Sequence, residues 1–325
     1  MLERCAGLVF GFLFGPQKAV RLRDDTLAAA LTQPHDWLWL HLTLSDTRAR
    51  RFLDSFADMP PDARAAMLGA EDRVQFHLTR DGAWGVLPDI EQDFAGESLG
   101  AGRLSFWLDA TRLVTARRHS LRATEDLRDA VDSGINPAGP SAALAQQQEF
   151  LIALIEQRLA VLARELARIE DQVLADRADG AAALGPLRRE LSRHAREFSS
   201  LRSAIHRATS ARNVVHTSPL LEHLPLMLQE AEDFERDCNA LLDRARLLNE
   251  EIETRIAATT NRSLSALTMI STLLLPPTFL AGAFGMNLHG IPWADHPHGF
   301  AYVFALCLAL TGGVYWVLRR FSILR

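Results

Sequence analysis

The side chains best placed for chemistry lie along one face of a long helical stretch near the C-terminal end. Counting back from Thr278 in steps of about 3.6 residues collects Thr278, Leu275 or Leu274, Ser271, Leu267, Leu264 and Asn261. Continued with a period near 3.5, the same stripe meets Thr254, Glu250, Leu247 and Asp243, opposite an apolar stripe of Ile252, Leu248, Ala245 and Leu241. Hydroxyls, an amide and two carboxylates in one line could border a path for a cation, while the apolar stripe packs. The plainer reading is that Thr278 and Ser271 donate to carbonyls of their own helix and that Glu250 and Asp243 form a solvated face. Above this face stands Gly285-Met286-Asn287, and the loop after it carries His289, Asp295, His296 and His298. Imidazole and carboxylate are suitable zinc ligands. The His296-Pro297-His298 pair is short and rigid, yet its spacing is no specific zinc signature, so exposed loop histidines or a pH-sensing role fit as well.

The elements that must position these groups follow from hydropathy. Leu264–Phe284 and Phe300–Leu318 are uncharged apolar runs of the length that a helix rising about 1.5 Å per residue needs to cross a hydrocarbon layer of about 30 Å. Two transmembrane helices, 264–284 and 300–318, with a connecting loop 285–299, are expected. Arg319, Arg320 and Arg325 follow the second run, Arg255 and Arg262 precede the first, and 288–299 holds no Lys or Arg. The excess of basic residues on one side predicts both termini in the cytoplasm and the loop outside. Pro276-Pro277 removes two backbone donors within the first span and predicts a bend, read as a static kink rather than a gating hinge.

A chain of 325 residues leaves room for a sizeable soluble part. Three regions are read: 1–140, an α/β domain with a mixed sheet; 141–263, long helices forming a stalk or funnel; and 264–325, the membrane helices. In the first, Ala6–Gly15, Trp37–Leu44, Val74–Leu78, Ala83–Ile90 and Leu104–Thr115 read as strands, with a hairpin turn at Asp81-Gly82. Ala63–Gly69 and Ser120–Ser133 read as helices, and Gly134–Pro140 as a linker. Beyond it the apolar period becomes about 3.5. Ile155, Leu159, Leu162, Leu166, Ile169 and Val173 mark one helix, and Leu187 to Ile205 a second. A third starts at Ser218-Pro219 and, with no breaker between Pro225 and Pro276, runs on into the membrane. Its arginines are read as solvated faces with pairs inside each helix. His35, His41, His77 and His119 have no close Cys or His partner and read as structural.

Cys5, Cys238 and Cys307 are too far apart for a disulfide framework or a thiolate zinc site and fit a reducing compartment. The net charge of −5, with no basic stripe interleaved with aromatics, argues against nucleic acid. No nucleophile elbow or phosphate-binding loop is present, so neither an enzyme nor a bound cofactor is expected.

Gly285-Met286-Asn287 at the outer end of the first of two C-terminal spans, the long helix before it and the N-terminal α/β domain resemble the CorA family of divalent-cation transporters. The continuation Gly290-Ile291-Pro292 with Asp295-His296-Pro297 is similar to the zinc-transporting ZntB-type branch. Its one acid, Asp295, and its three histidines depart from the acidic outer loop of magnesium-transporting members. The resemblance implies a homopentamer in a bacterial inner membrane, with five copies of the first span around a pore and the second facing lipid. Asn287 then forms the outermost ring, where its side-chain carbonyl accepts a hydrogen bond from the ion's water. Thr278 and Asn261 are polar rings, Leu275, Leu267 and Leu264 apolar constrictions that gate by dewetting, and Glu250 and Asp243 acids of the cytosolic funnel. Gly285 permits the backbone turn and Met286 packs against a neighbour. Zinc is the expected cargo, with cadmium, nickel and cobalt as further candidates and proton coupling implied. A magnesium or cobalt channel of the same family, or a membrane-anchored coiled-coil sensor that transports nothing, are the alternatives.

Overall fold

The computed structural model describes residues 7–16, 18–22, 35–54, 56–69, 73–92, 98–175, 180–210, 219–286, 292–293 and 296–320. It divides into two compact units, Met1–Leu247 and Leu248–Arg325.

The first unit is built on a seven-stranded sheet. Its strands are β1 (Leu8–Phe14), β2 (Ala19–Leu22), β3 (Trp37–Thr43), β4 (Gln75–Leu78), β5 (Ala83–Gln92), β6 (Ser98–Leu108) and β7 (Arg112–Arg117), in the order β2-β1-β3-β7-β6-β5-β4. The β3–β7 pair is parallel and the other neighbours are antiparallel, so the sheet is mixed as the sequence suggests. Alternation along β3 decides what covers it: Trp37, Trp39 and His41 fall on one face, Leu38, Leu40 and Leu42 on the other, and all six are buried. The leucine face joins Leu53 of α1 (Thr47–Asp54) and Met67 of α2 (Pro61–Leu68) in one apolar cluster. On the opposite face the Phe14 and Trp37 rings stack 3.7 Å apart, and the Phe10 and His41 rings 4.6 Å apart.

The run Leu104–Thr115, read from sequence as one strand, is the β6–β7 hairpin. Asp109 breaks it: its Oδ1 accepts the backbone N–H groups of Thr111 and Arg112 at 2.9 and 2.8 Å, an Asx turn made without Gly or Pro. Strand β2 and helix α1 are also additions to the sequence reading. Helix α3 (Arg122–Asp132) has Leu121 at its N-cap position, which offers no side-chain acceptor. Asp89 of β5 takes that role from a distance. It accepts from the N–H groups of Ala123 and Thr124, the Thr124 hydroxyl, the Gln147 amide and its neighbour Ile90. One buried carboxylate thus joins the sheet to α3 and to α4 (Pro140–Leu174), and burial raises its pKa to about 6.

Three long helices complete the unit: α4, α5 (Gly180–Ser210) and α6 (Leu224–Phe284), whose last part belongs to the second unit. The stripe of Ile155, Leu159, Leu162, Leu166, Ile169 and Val173 is buried, as are Leu187, Leu191, Phe198 and Ile205 of α5 and Phe234 and Cys238 of α6. Helix α6 begins later than the proline rule predicts, because Pro219–Glu222 forms a 3-10 turn before it. The arginines do more than solvate faces. Arg158 of α4 meets Glu190 of α5 at 2.5 Å, Arg202 of α5 meets Glu235 of α6 at 2.7 Å, and Arg244 of α6 meets Glu170 of α4 at 2.6 Å. Each helix is tied to the other two, although such half-exposed pairs contribute less than about 1 kcal/mol each.

In the second unit the upper part of α6 and helix α7 (Gly299–Arg320) are both long and apolar enough to cross a membrane. No residue of their most apolar stretches is fully buried, the reverse of what a soluble core helix shows.

Candidate ion pathway

Partial shielding in the second unit is ordered. On α6 the half-buried positions are Met269, Leu273, Pro276, Pro277, Leu280, Ala283 and Phe284, and on α7 they are Val303, Cys307, Thr311, Val314 and Leu318. Each set repeats at three or four residues and forms a stripe. At about 100° per residue, the α6 stripe lies roughly half a turn from the centre of the Asn261, Leu264, Leu267, Ser271, Leu275 and Thr278 face. That face is exposed throughout, with Leu264, Leu267 and Leu275 at 57, 62 and 70% of their full exposure. Three large leucines alternating with small polar groups thus lie uncovered on the side turned away from the shielded stripe.

The chemistry of that face is acceptor-rich. The Thr278 hydroxyl donates to the Leu274 carbonyl at 2.7 Å, the back-bond that the plainer sequence reading anticipates. The bond uses the hydroxyl's only proton and leaves oxygen lone pairs outward, the side of a hydroxyl that suits a cation or its water. Among the described residues, Ser271 and Asn261 carry no side-chain hydrogen bond and are exposed. Sequence reading overlooked a neighbouring column: Thr268 donates to Leu264 and Thr272 to Thr268, at 2.9 and 2.8 Å. Threonines four residues apart were the available signal. Pro276 and Pro277 lie within the continuous helix, and their missing N–H groups leave the carbonyls of Thr272 and Leu273 without helical donors.

Further down α6, Asp243 and Glu250 are exposed, as are Leu247, at 66%, and Thr254, whose hydroxyl returns to the Glu250 carbonyl at 2.8 Å. The packing stripe is where its period puts it: Ala245 and Leu248 are buried, Leu241 and Ile252 half-buried.

At the upper end, Gly285 N–H bonds the Ala281 carbonyl at 3.0 Å and Met286 N–H the Ala283 carbonyl at 3.4 Å, so the helix tightens as it stops. Met286 is exposed. Asn287, His289 and Asp295 lie outside the described residues. Trp293 has φ 64°, and its carbonyl accepts from His296 N–H at 3.1 Å. A Cβ on Gly299 would stand 2.3 Å from that carbonyl oxygen, so the start of α7 requires glycine. The His296 and His298 rings are 5.9 Å apart, near enough to approach one ion. His296 Nδ1, however, accepts the backbone N–H of His298 at 3.1 Å, which puts the ring proton on Nε2, so the neutral ring can take a metal only by giving up that bond. Among the described residues no group of three His, Cys, Asp or Glu side chains is gathered for a metal ion.

His41 and His77 make contacts within the sheet. His41 is buried, with Nδ1 against the Thr115 hydroxyl at 2.8 Å, and the His77 ring stacks on Trp84 at 4.1 Å.

Comparison with known proteins places this arrangement. The chain is 25% identical to the zinc transport protein ZntB of Pectobacterium carotovorum, over 87% of this chain and 86% of that one. It is 26% identical to the divalent cation transporter CmaX of Pseudomonas aeruginosa, over 97% and 96%. Among solved structures, full-length CmaX superposes with a TM-score of 0.80 at 23% identity over 98% of each chain. The CorA magnesium transporter of Methanocaldococcus jannaschii gives 0.71 at 16% identity, over 96% of this chain and 97% of that one. Residues 34–320 match the family model described as CorA-like Mg2+ transporter protein, and the chain therefore belongs to the CorA family.

Proposed function

We propose that the protein carries divalent metal cations, zinc foremost, across the bacterial inner membrane through a pore made where five copies bring the Asn261–Thr278 face of α6 together. The observation that carries this reading is the exposed, acceptor-bearing face set half a turn from the stripe shielded within the unit. One copy encloses nothing, so a path needs several copies around an axis. In that arrangement Thr278, Ser271 and Asn261 present oxygens to the ion's hydration shell, and Leu275, Leu267 and Leu264 form narrow apolar rings that close by excluding water. Asn287 stands above them as the outermost ring of amides, Gly285 and Met286 shape its approach, and Glu250 and Asp243 draw cations towards the inner end. Both termini lie in the cytoplasm, since Arg319 and Arg320 end the second span and the outer loop holds no Lys or Arg.

Zinc is favoured by the loop. It has Asp295 as its one acid and adds His289, His296 and His298, and relatives that match over most of the chain bear the name zinc transport protein. Cadmium, nickel and cobalt share the ligand preferences and are further cargo. Magnesium is the second reading, favoured by the family description and by the superposition on CorA. Purified protein in liposomes loaded with a zinc-sensitive dye decides between them. Zinc influx that grows with an inward proton gradient and exceeds magnesium influx is the expected result. Magnesium flux without zinc flux supports the second reading, and no flux of any divalent ion leaves a membrane anchor.

A further inference from the structure

In the first unit a cavity of about 140 Å³ opens beside the last residues of β7, lined among others by Glu91, Arg103, Ser105, Arg117, Arg118 and His119. Its arginines arrive from two adjacent strands. Arg103 lies on β6, while Arg117 ends β7 and Arg118 follows it directly.

Their charges are unequally matched. Arg103 reaches Glu197 at 2.9 Å and is balanced by it. Arg117 donates to the Ser120 hydroxyl at 3.0 Å and to Glu125 at 2.5 Å, but the other oxygen of Glu125 is taken by Arg128. Arg128 has a second acid, Asp129, whose Oδ1 accepts from its Nε at 2.8 Å, so Arg117 and Arg128 are matched by Glu125 and Asp129 together. Arg118 donates to the Gly69 carbonyl, which brings it no formal charge. Asp89, the nearest further acid to act on Arg117, is turned to the five donors that surround it. Among the described lining residues Glu91 is the one acid. Burial first, and then the charge of Arg128, hold Arg117 below the ordinary guanidinium range.

We propose that this cavity is a binding site for a small oxyanion of the phosphate class, held by Arg117 and Arg118. A planar guanidinium fork matches two oxygens of such an anion; Arg118, bonded to a carbonyl, supplies the charge, and Arg117, the residue before it, supplies a second set of N–H donors on the same wall. Glu91 sets the choice among oxyanions. A carboxylate on the wall repels a fully deprotonated anion but accepts a hydrogen bond from one that keeps a proton. Near neutral pH inorganic phosphate keeps such a proton, a phosphate monoester with a second pKa of about 6 keeps it in a minority of molecules, and sulfate does not, so the site selects phosphate over sulfate. The same group can come as inorganic phosphate or as the terminal phosphate of a nucleotide. Neither depends on the transport reading, because binding is measured without a membrane gradient.

The test is isothermal titration of the full-length protein in detergent, free of metal and at constant ionic strength, with inorganic phosphate, sulfate and ATP in turn. Saturable binding of one phosphate per chain, at least tenfold tighter than sulfate, is the expected result. ATP equal to or tighter than phosphate assigns the group to a nucleotide, and phosphate alone assigns it to the free ion. Arg118→Gln should weaken phosphate at least tenfold. Glu91→Gln, which leaves every arginine in place, should keep phosphate binding but bring sulfate to within about threefold of it. Absence of saturable binding by the wild type overturns the proposal, as does a Glu91→Gln protein that discriminates as the wild type does.

Discussion

Thr278 and His41 show how a single residue's hydrogen bonds set what it can do. Thr278 spends its proton on the Leu274 carbonyl and therefore meets the exposed face of α6 as an acceptor. Replacing it with valine keeps the shape and removes the oxygen. The loss of one hydrogen bond to a water of the passing ion, about 1 to 1.5 kcal/mol, slows zinc flux into liposomes about five- to tenfold. Thr278→Ser should retain most of the flux, and equal rates for valine and threonine would remove the residue from the pathway. His41 is the opposite case, buried with Nδ1 on Thr115 and Nε2 without a partner among the described residues. Burial, then Arg117 and Arg128, hold its pKa well below 6.5. The folded protein thus binds this proton less readily than the unfolded chain. The stability that goes with neutral His41 is complete above about pH 6.5 and is lost as the pH falls below it. Thermal unfolding in detergent should therefore show a smaller drop in midpoint from pH 7 to pH 5 for His41→Phe than for the wild type, and parallel pH profiles would contradict the assignment.

At the scale of elements, periodicity was the most legible signal. The buried stripes of α4 and α5 lie on the residues that a 3.5-residue spacing selects, and β3 reads correctly because alternating tryptophan and leucine need cover on both faces. Asp109 was illegible because a side-chain acceptor turns the chain there without Gly or Pro. The capping of α3 was illegible for a different reason: Asp89 is 34 residues distant from Ala123, and only the folded sheet brings them together. The exposed face of α6 was visible as a spacing, but its distance from the shielded stripe needed the coordinates. That separation makes the lower part of the helix testable as well. Asp243 and Glu250 are two turns apart on the exposed side, with the packing residues Ala245 and Leu248 directed elsewhere. Asp243→Asn with Glu250→Gln should lower divalent flux several-fold at low ionic strength and by less at about 0.15 M salt, where the screening length falls to about 8 Å. An unchanged oligomer on size exclusion and an unchanged rate together would confine these acids to solvation.

For the whole molecule the governing fact is that α6 and α7 leave large apolar side chains uncovered on more than one side. Lipid can cover leucine, phenylalanine and tryptophan, but it has no partner for Asn261, Ser271 or the outward lone pairs of Thr278. A face that mixes these groups is satisfied only by water or by other copies, and a ring of copies around a wet axis supplies both. Trp316 of α7, 65% exposed and set away from the Val303–Leu318 stripe, presents an amphipathic ring one turn before Arg319 and Arg320 and suits the lipid side. The two positions should therefore separate in a cross-linking experiment. In a background with Cys5, Cys238 and Cys307 replaced by alanine, Leu267→Cys places one thiol per copy on the proposed axis. Mild oxidation in membranes should then give disulfide-linked dimers. Trp316→Cys, on the lipid side, should stay monomeric under the same oxidant, and native mass spectrometry of the parent protein should report five copies. Dimers at Trp316 without dimers at Leu267 would turn the helix round, placing α7 at the axis and the threonine face in contact with another surface.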